Sequence, residues 1–166
     1  TSTRLGLIGS PIEAETIILE RDLQLVRLTG ARYHAAHLTT ATSVEAVRRA
    51  KNEGLPVTAD TSAPYFQLNE LAVSTYSSAA KLNPPLRTED DRLAIMAALA
   101  DGTIDVIASD HVPVNPDMKH LPFSLASCGA SGLEVMLVMT LRLVLNDVIG
   151  WQRAFELLSL APATIL

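Results

Sequence analysis

Cysteine is almost missing from this sequence: Cys128 stands alone among 166 residues. No internal disulfide can form, which suits a reducing compartment and places the protein in the cytoplasm by expectation. Long apolar runs are missing too. The longest, around Val135 to Leu145, is interrupted by Thr140 and Arg142 and is too short to span a bilayer, and no basic, apolar leader opens the chain. Only 19% of residues are charged, no basic cluster occurs and the net charge is -5. Neither nucleic acid nor an anionic membrane is therefore an expected partner, which leaves small molecules and proteins. Apolar residues, in contrast, are plentiful at 48%, enough to build the core of one domain or of part of one.

The most informative stretch is Ile104-Asp105-Val106-Ile107-Ala108-Ser109-Asp110-His111. It is short, β-branched and apolar without alternation, the pattern of a parallel strand buried on both faces. Asp110 then falls at the carboxyl end of that strand, where chemistry collects in barrels and open α/β sheets. Ala31-Arg32-Tyr33-His34-Ala35-Ala36-His37-Leu38 repeats the design and carries an imidazole, His37, near its carboxyl end. Imidazole and carboxylate groups arriving from separate strand ends are ingredients of a zinc-type hydrolytic site. His34, three residues before His37, is expected on the opposite face of its strand.

Around these strands the pattern alternates. A helix is predicted from about residue 11 to Thr29 with Gly30 as its stop, then a strand, a hydroxyl-rich cap at Thr39-Thr40-Ala41-Thr42-Ser43 and a helix from Ser43 to Glu53. Pro56-Val57-Thr58-Ala59-Asp60 reads as a short strand, and Ala63 to Pro85 as an irregular excursion on the rim. Thr88-Glu89-Asp90-Asp91 forms an acidic first turn for a helix to Ala100, which the Asp110 strand follows. A loop from His111 to Ala130 leads to a helix over Ser131 to Leu145 and a last one over Trp151 to Leu160. Strand and helix in alternation specify a parallel sheet. Three parallel strands alone leave two open edges, so the chain reads as the later part of a larger (β/α) barrel.

Taken together, Arg4-Leu5-Gly6-Leu7, His34-Ala35-Ala36-His37-Leu38-Thr39-Thr40, Gly54-Leu55-Pro56-Val57-Thr58-Ala59, Lys81 to Arg92, Asp101 to His111, and Lys119-His120-Leu121-Pro122-Phe123 leading to Gly132-Leu133-Glu134 resemble the dihydroorotases, cyclic-amide hydrolases of the amidohydrolase superfamily. The resemblance implies an α/β chain forming the later part, about strands six to eight with flanking helices, of a TIM-like (β/α)8 metal-dependent hydrolase barrel. Residues 1–166 would then be the C-terminal portion of one barrel domain, with the N-terminal strands outside this sequence. It implies two zinc ions per complete site, of whose ligands His37 and Asp110 are the two found here. It further implies Asp110 as the catalytic acid–base group, Asn83 in an Asn-Pro-Pro turn as a substrate contact, and backbone groups at Cys128 and Gly129 against the substrate ring. Taken on its own, Cys128 reads as a small buried apolar group. A homodimer or an association with aspartate transcarbamoylase is the partner expectation.

Two departures from the family pattern bear on substrate. Asp110-His111-Val112-Pro113-Val114 has valine where the family usually carries a second histidine against the substrate carboxylate, and Ala63-Pro64-Tyr65 replaces the usual Pro-His-His. Valine neither donates a hydrogen bond nor carries charge. Dihydroorotate hydrolysis is the leading expectation. A related cyclic amidase of the hydantoinase or allantoinase kind, or a non-catalytic partner of aspartate transcarbamoylase, are the alternatives. With two ligands only, these residues alone are expected to bind zinc weakly and to be inactive.

Overall fold

Three short parallel strands in the order β1-β2-β3 form the centre of the chain, which a computed structural model describes over residues 1–166. After a single turn of helix, α1 (Ser2–Leu5), comes α2 (Glu13–Thr29), then β1 (Tyr33–Ala35), α3 (Ala41–Asn52) and β2 (Val57–Ser62). The excursion that follows holds a short helix, α4 (Ala63–Gln67), and 3₁₀ turns at Glu70–Val73 and Ser78–Ala80. Next are α5 (Glu89–Asp101) and β3 (Val106–Ala108). The loop after β3 contains α6 (Pro116–Lys119) and precedes α7 (Leu133–Leu145). The chain ends in α8 (Trp151–Phe155), a π-helical turn (Glu156–Leu160) and α9 (Ala161–Ile165). No helix is long and apolar enough to cross a membrane.

The predicted helices and strands all form; β1 and β3 are shorter than the apolar pattern suggested, whereas β2 runs two residues past Asp60 to Ser62. Tyr33, His34 and Ala35 pair with Val57, Thr58 and Ala59, and Asp60, Thr61 and Ser62 pair with Val106, Ile107 and Ala108. Asp105 extends the second pairing: its N–H donates to the Ala59 carbonyl (2.9 Å), and its carboxylate accepts from Ala59 N–H (2.8 Å) and Lys51 Nζ (2.6 Å). The expected strand over Ala31 to Leu38 stops early because His37 takes up a left-handed backbone (φ 57°) and turns the chain out of the extended form.

Helices cover one face of this sheet. Leu19, Leu23 and Val26 of α2, Val44, Val47 and Ala50 of α3, Ile95 and Leu99 of α5, and Leu143 of α7 pack with Ala35, Val57, Ala59 and Ile107. Leu23, Ile95 and Leu99 are fully buried, and burying a side chain of this size stabilises by about 1.5–3 kcal/mol each. Arg153 ties the C-terminal helices to the sheet by donating to the carbonyls of Leu99 (2.9 Å) and Ile104 (2.7 Å). The other face has no helical layer in this chain. His34 is exposed there, and in β3 only Ile107 is buried while Val106 and Ala108 are half-buried. The reading of β3 as covered on both faces is thereby corrected.

The cap of α5 is a load point between two elements. The Thr88 hydroxyl accepts from Asp91 N–H, and the Asp91 carboxylate accepts from Thr88 N–H (3.2 Å), Thr88 Oγ1 (2.6 Å) and, across the fold, Ala41 N–H at the start of α3 (2.9 Å). Asp91 is buried. Asp91→Ala therefore strands donors at two helix starts and is expected to cost about 2–3 kcal/mol, against about 1 kcal/mol for Thr88→Ala. Urea midpoints with unchanged slopes measure both, and equal losses for the two variants would contradict the shared-cap account.

Candidate active site

All three strands present their carboxyl ends to one rim, and the two residues singled out by sequence meet there. His37 follows β1, Asp110 follows β3, and His37 Nε2 stands 3.7 Å from Asp110 Oδ1. Both backbones are left-handed, at φ 57° and 44°. Such φ values are uncommon outside glycine and cost energy that surrounding contacts must offset. Only Tyr76 and Asp147 share this conformation among the other non-glycine residues, so half of the strained positions lie in this pair.

The strain at His37 is held from two sides. Below it, Asp60 of β2 accepts from His37 N–H (2.7 Å) and lies 2.9 Å from His37 Nδ1. Beside it, Glu15 of α2 grips the following turn: its carboxylate accepts from Thr39 N–H (3.1 Å), from the Thr39 hydroxyl in a short bond, and from the Thr40 hydroxyl (3.2 Å). Arg87 completes this cluster, with Nη2 3.9 Å from Glu15, Nε donating to Thr39 Oγ1 (3.2 Å) and Nη1 donating to the Ser10 carbonyl (2.6 Å). The Asp110 carboxylate accepts from Ser62 Oγ at the end of β2, at a long 3.4 Å.

His34 does not turn away from His37. Its Nε2 lies 2.9 Å from the second oxygen of Asp60, and its Nδ1 lies 2.7 Å from Thr58 Oγ1. Alternation holds only within extended backbone, and the left-handed turn at His37 swings its ring round to the side His34 faces. Asp60 is thus the centre of the site that motif reasoning passed over. Burial raises the pKa of its carboxyl, but the hydrogen bonds from the His37 side chain, the His37 backbone and His34 outweigh this and leave it lowered. The hydrogen bond to Asp60 raises the His37 pKa, against the opposing effect of burial, with the charges of Asp60 and Asp110 adding to the rise.

Asn83 lines a hollow of about 290 Å³ together with His37, and a neighbouring one of about 390 Å³ together with Cys128. The loop bearing Cys128 and Gly129 is fastened to the segment that carries Asn83. Gly129 N–H donates to the Lys81 carbonyl (3.1 Å), Lys119 Nζ donates to the carbonyls of Ser78 (2.9 Å) and Lys81 (3.3 Å), and Lys81 Nζ reaches the Ser124 carbonyl (3.0 Å) over the Phe123 ring. The Gly129 N–H is therefore spent within the protein. Cys128 is exposed rather than buried, because the strapped loop runs over the surface. Tyr65 is buried, and its hydroxyl donates to the Pro84 carbonyl (2.8 Å), bracing the turn beside Asn83. His111 accepts from Leu133 N–H through Nδ1 (3.2 Å) at the start of α7.

The 3.7 Å between His37 Nε2 and Asp110 Oδ1 is a separation that two ligands of one zinc ion would have, since zinc bonds nitrogen and oxygen at about 2.0–2.2 Å. An imidazole nitrogen and a carboxylate oxygen on an open rim fit it as two of its ligands. No set of three or more His, Cys, Asp or Glu side chains is arranged to hold a metal in this chain, so this pair by itself does not make a complete metal site.

No family model matches the chain. The dihydroorotase of Desulfotalea psychrophila is 50% identical over 99% of the chain, and that of Syntrophotalea carbinolica 48% identical over 99%. In both cases the chain spans 39% of the relative's length. Among solved structures, the L-hydantoinase (dihydropyrimidinase) of Arthrobacter aurescens superposes with a TM-score of 0.88 at 26% identity, over 94% of this chain and 36% of that one. The resemblance to dihydroorotases read from the motifs holds along the whole chain.

Proposed function

We propose, from homology to the dihydroorotases that runs the length of the chain, that these residues form strands six to eight and the adjoining rim of a dihydroorotase barrel, completed by a preceding segment. The activity is the reversible hydrolysis of dihydroorotate to N-carbamoyl-L-aspartate. The observation that carries this reading is the convergence of His37 and Asp110, from strands that are not neighbours, to 3.7 Å at the carboxyl-end rim. A scaffold without chemistry has no need to hold two strained polar residues face to face.

His37 Nε2 and Asp110 would hold zinc together with ligands from the preceding segment. Zinc in such a site polarises an amide carbonyl and acidifies water. Asp110 takes a proton from the water attacking the ring amide and delivers it to the leaving nitrogen, acting as base and then as acid. In ring closure it runs the same transfer backwards. Asn83, at the edge of the hollow it shares with His37, carries both a donor and an acceptor on one amide and so matches the alternating groups of a cyclic imide. Glu15 and Arg87 line that same hollow while holding the turn after His37, and Tyr65 braces the turn beside Asn83.

A related cyclic amidase is the second reading, favoured by Val114 in place of a carboxylate-binding histidine and by the likeness to a hydantoinase structure. Turnover assays of the full-length protein on dihydroorotate, hydantoin and allantoin separate the two. Dihydroorotate is expected to give the highest kcat/KM, and preference for either other ring would overturn the assignment. The 166 residues by themselves are expected to turn over none of the three, since two ligands do not fix a metal site.

A further inference from the structure

We propose that Asp60 is a positioning residue: it fixes the His37 ring with its proton on Nδ1 and its Nε2 lone pair toward Asp110, and His34 in turn fixes Asp60. The assignment of protons follows from geometry. Asp60 is 6% exposed, and an ionised carboxylate only accepts hydrogen bonds. Its Oδ1 is 2.9 Å from His37 Nδ1 and also takes the His37 backbone N–H at 2.7 Å. The proton must therefore sit on Nδ1, which leaves Nε2 as the lone pair of the neutral ring. That lone pair faces Asp110 Oδ1 at 3.7 Å, beyond hydrogen-bond distance. In the neutral ring two electron-rich atoms are thus aimed at one another, a contact that becomes favourable when a metal ion or a second proton stands between them.

The same reasoning runs one residue further. Asp60 Oδ2 is 2.9 Å from His34 Nε2, so that nitrogen carries the proton, and His34 Nδ1 accepts from the Thr58 hydroxyl at 2.7 Å. Strand pairing builds this chain: Thr58 and Asp60 are two apart on β2 and share a face, and His34 pairs in register with Thr58. Protons thus run from Thr58 to His34 to Asp60, and from His37 to Asp60, with Asp60 the common acceptor. A carboxylate behind a metal-binding imidazole fixes its ring and raises its basicity. The metal-facing part of this inference rests on the function proposed above, whereas the placement of the protons does not.

The ring nitrogens of the metal-free full-length protein, observed by ¹⁵N NMR, and its zinc affinity, measured by competition with a chromophoric chelator, test this. Without substitution, and at a pH where both rings are neutral, His37 is expected as the Nδ1–H form and His34 as the Nε2–H form. Asp60→Asn keeps the shape: its oxygen still accepts from His37, but its NH₂ faces His34, so His34 switches to the Nδ1–H form while His37 is unchanged. Asp60→Ala leaves His37 in a mixture of both forms and lowers zinc affinity by about 10–100-fold, and Asp60→Asn restores most of it. A His37 ring protonated at Nε2 in the unsubstituted protein overturns the proposal, as does an Asp60→Ala protein with unchanged His37 signals and zinc affinity. Should Asp60→Ala fail to fold, the His34 switch in Asp60→Asn decides by itself. Ring signals that behave as stated in a protein inactive on dihydroorotate leave Asp60 in its role and remove the substrate assignment.

Discussion

Asp110→Ala in the full-length protein is expected to lower dihydroorotate turnover by about 10³-fold or more, equivalent to about 4 kcal/mol of transition-state stabilisation. Proton transfer by a well-placed group contributes about 10²–10⁴-fold, and in the role proposed for Asp110 this substitution would remove the transfer and one donor to the metal together. Asp110→Asn keeps the volume and the bond from Ser62 Oγ, 3.4 Å away in the native protein, yet an amide cannot take the proton. It should fall nearly as far in kcat with a smaller change in zinc content. His37→Ala is expected to follow closely, with loss of zinc as its main signature. The two effects should not add, because both residues serve one site. Neither side chain belongs to the apolar core, so thermal unfolding should move by only a few degrees, which distinguishes lost chemistry from lost structure. Activity within tenfold of normal in Asp110→Ala would refute the role given to this residue.

How far the sequence went in describing this site depended on whether the signal was local. Thr88-Glu89-Asp90-Asp91 announces a helix start from side chains that bond their own backbone, and α5 begins at Glu89 with that capping box in place. Asp110 was visible because the apolar run of β3 stops at it. Asp60 carried no such mark: it closes an ordinary-looking strand, and its partners lie 23 and 26 residues earlier, joined only when β1 pairs with β2. The orientation of His34 was missed for a related reason. Alternation along a strand predicts a face only while the backbone stays extended, and no feature of Ala35-Ala36-His37 signals the left-handed turn that the grip of Asp60 and Glu15 enforces. Glu15 was hidden among the apolar positions of α2 because its use, holding Thr39 and Thr40, is purely tertiary. The exposure of Cys128 likewise follows from a loop path set by Lys81 and Lys119, which no residue near Cys128 encodes.

Gly132→Ala is expected to be the most damaging single methyl in the chain. The backbone of Gly132 is at φ -87° and ψ -29°, which any residue adopts, so conformational freedom is not why glycine stands there. The reason is proximity: a Cβ at this position would lie 1.7 Å from the Ser109 carbonyl oxygen and 2.9 Å from its carbon. These are backbone atoms of the residue immediately before Asp110, and they have no rotamer by which to yield. The loop leaves and re-enters at the same place, with Val112 N–H donating to the Ala130 carbonyl (2.9 Å), so the new methyl would prise apart the end of β3 and the start of α7. A loss of about 3 kcal/mol or more is expected, at the upper end for overpacking, with a fall in turnover exceeding what the lost stability explains because Asp110 is carried on the displaced strand end. Gly150→Ala is the matched control. Its φ of -81° is equally ordinary and nothing lies within 4 Å of the added carbon, so it should change stability by no more than about 0.5 kcal/mol. Urea unfolding of the two variants, read beside dihydroorotate turnover of the protein that remains folded, checks both parts. A Gly132→Ala protein as stable and active as Gly150→Ala would mean that β3 and α7 do not meet as closely as this account requires.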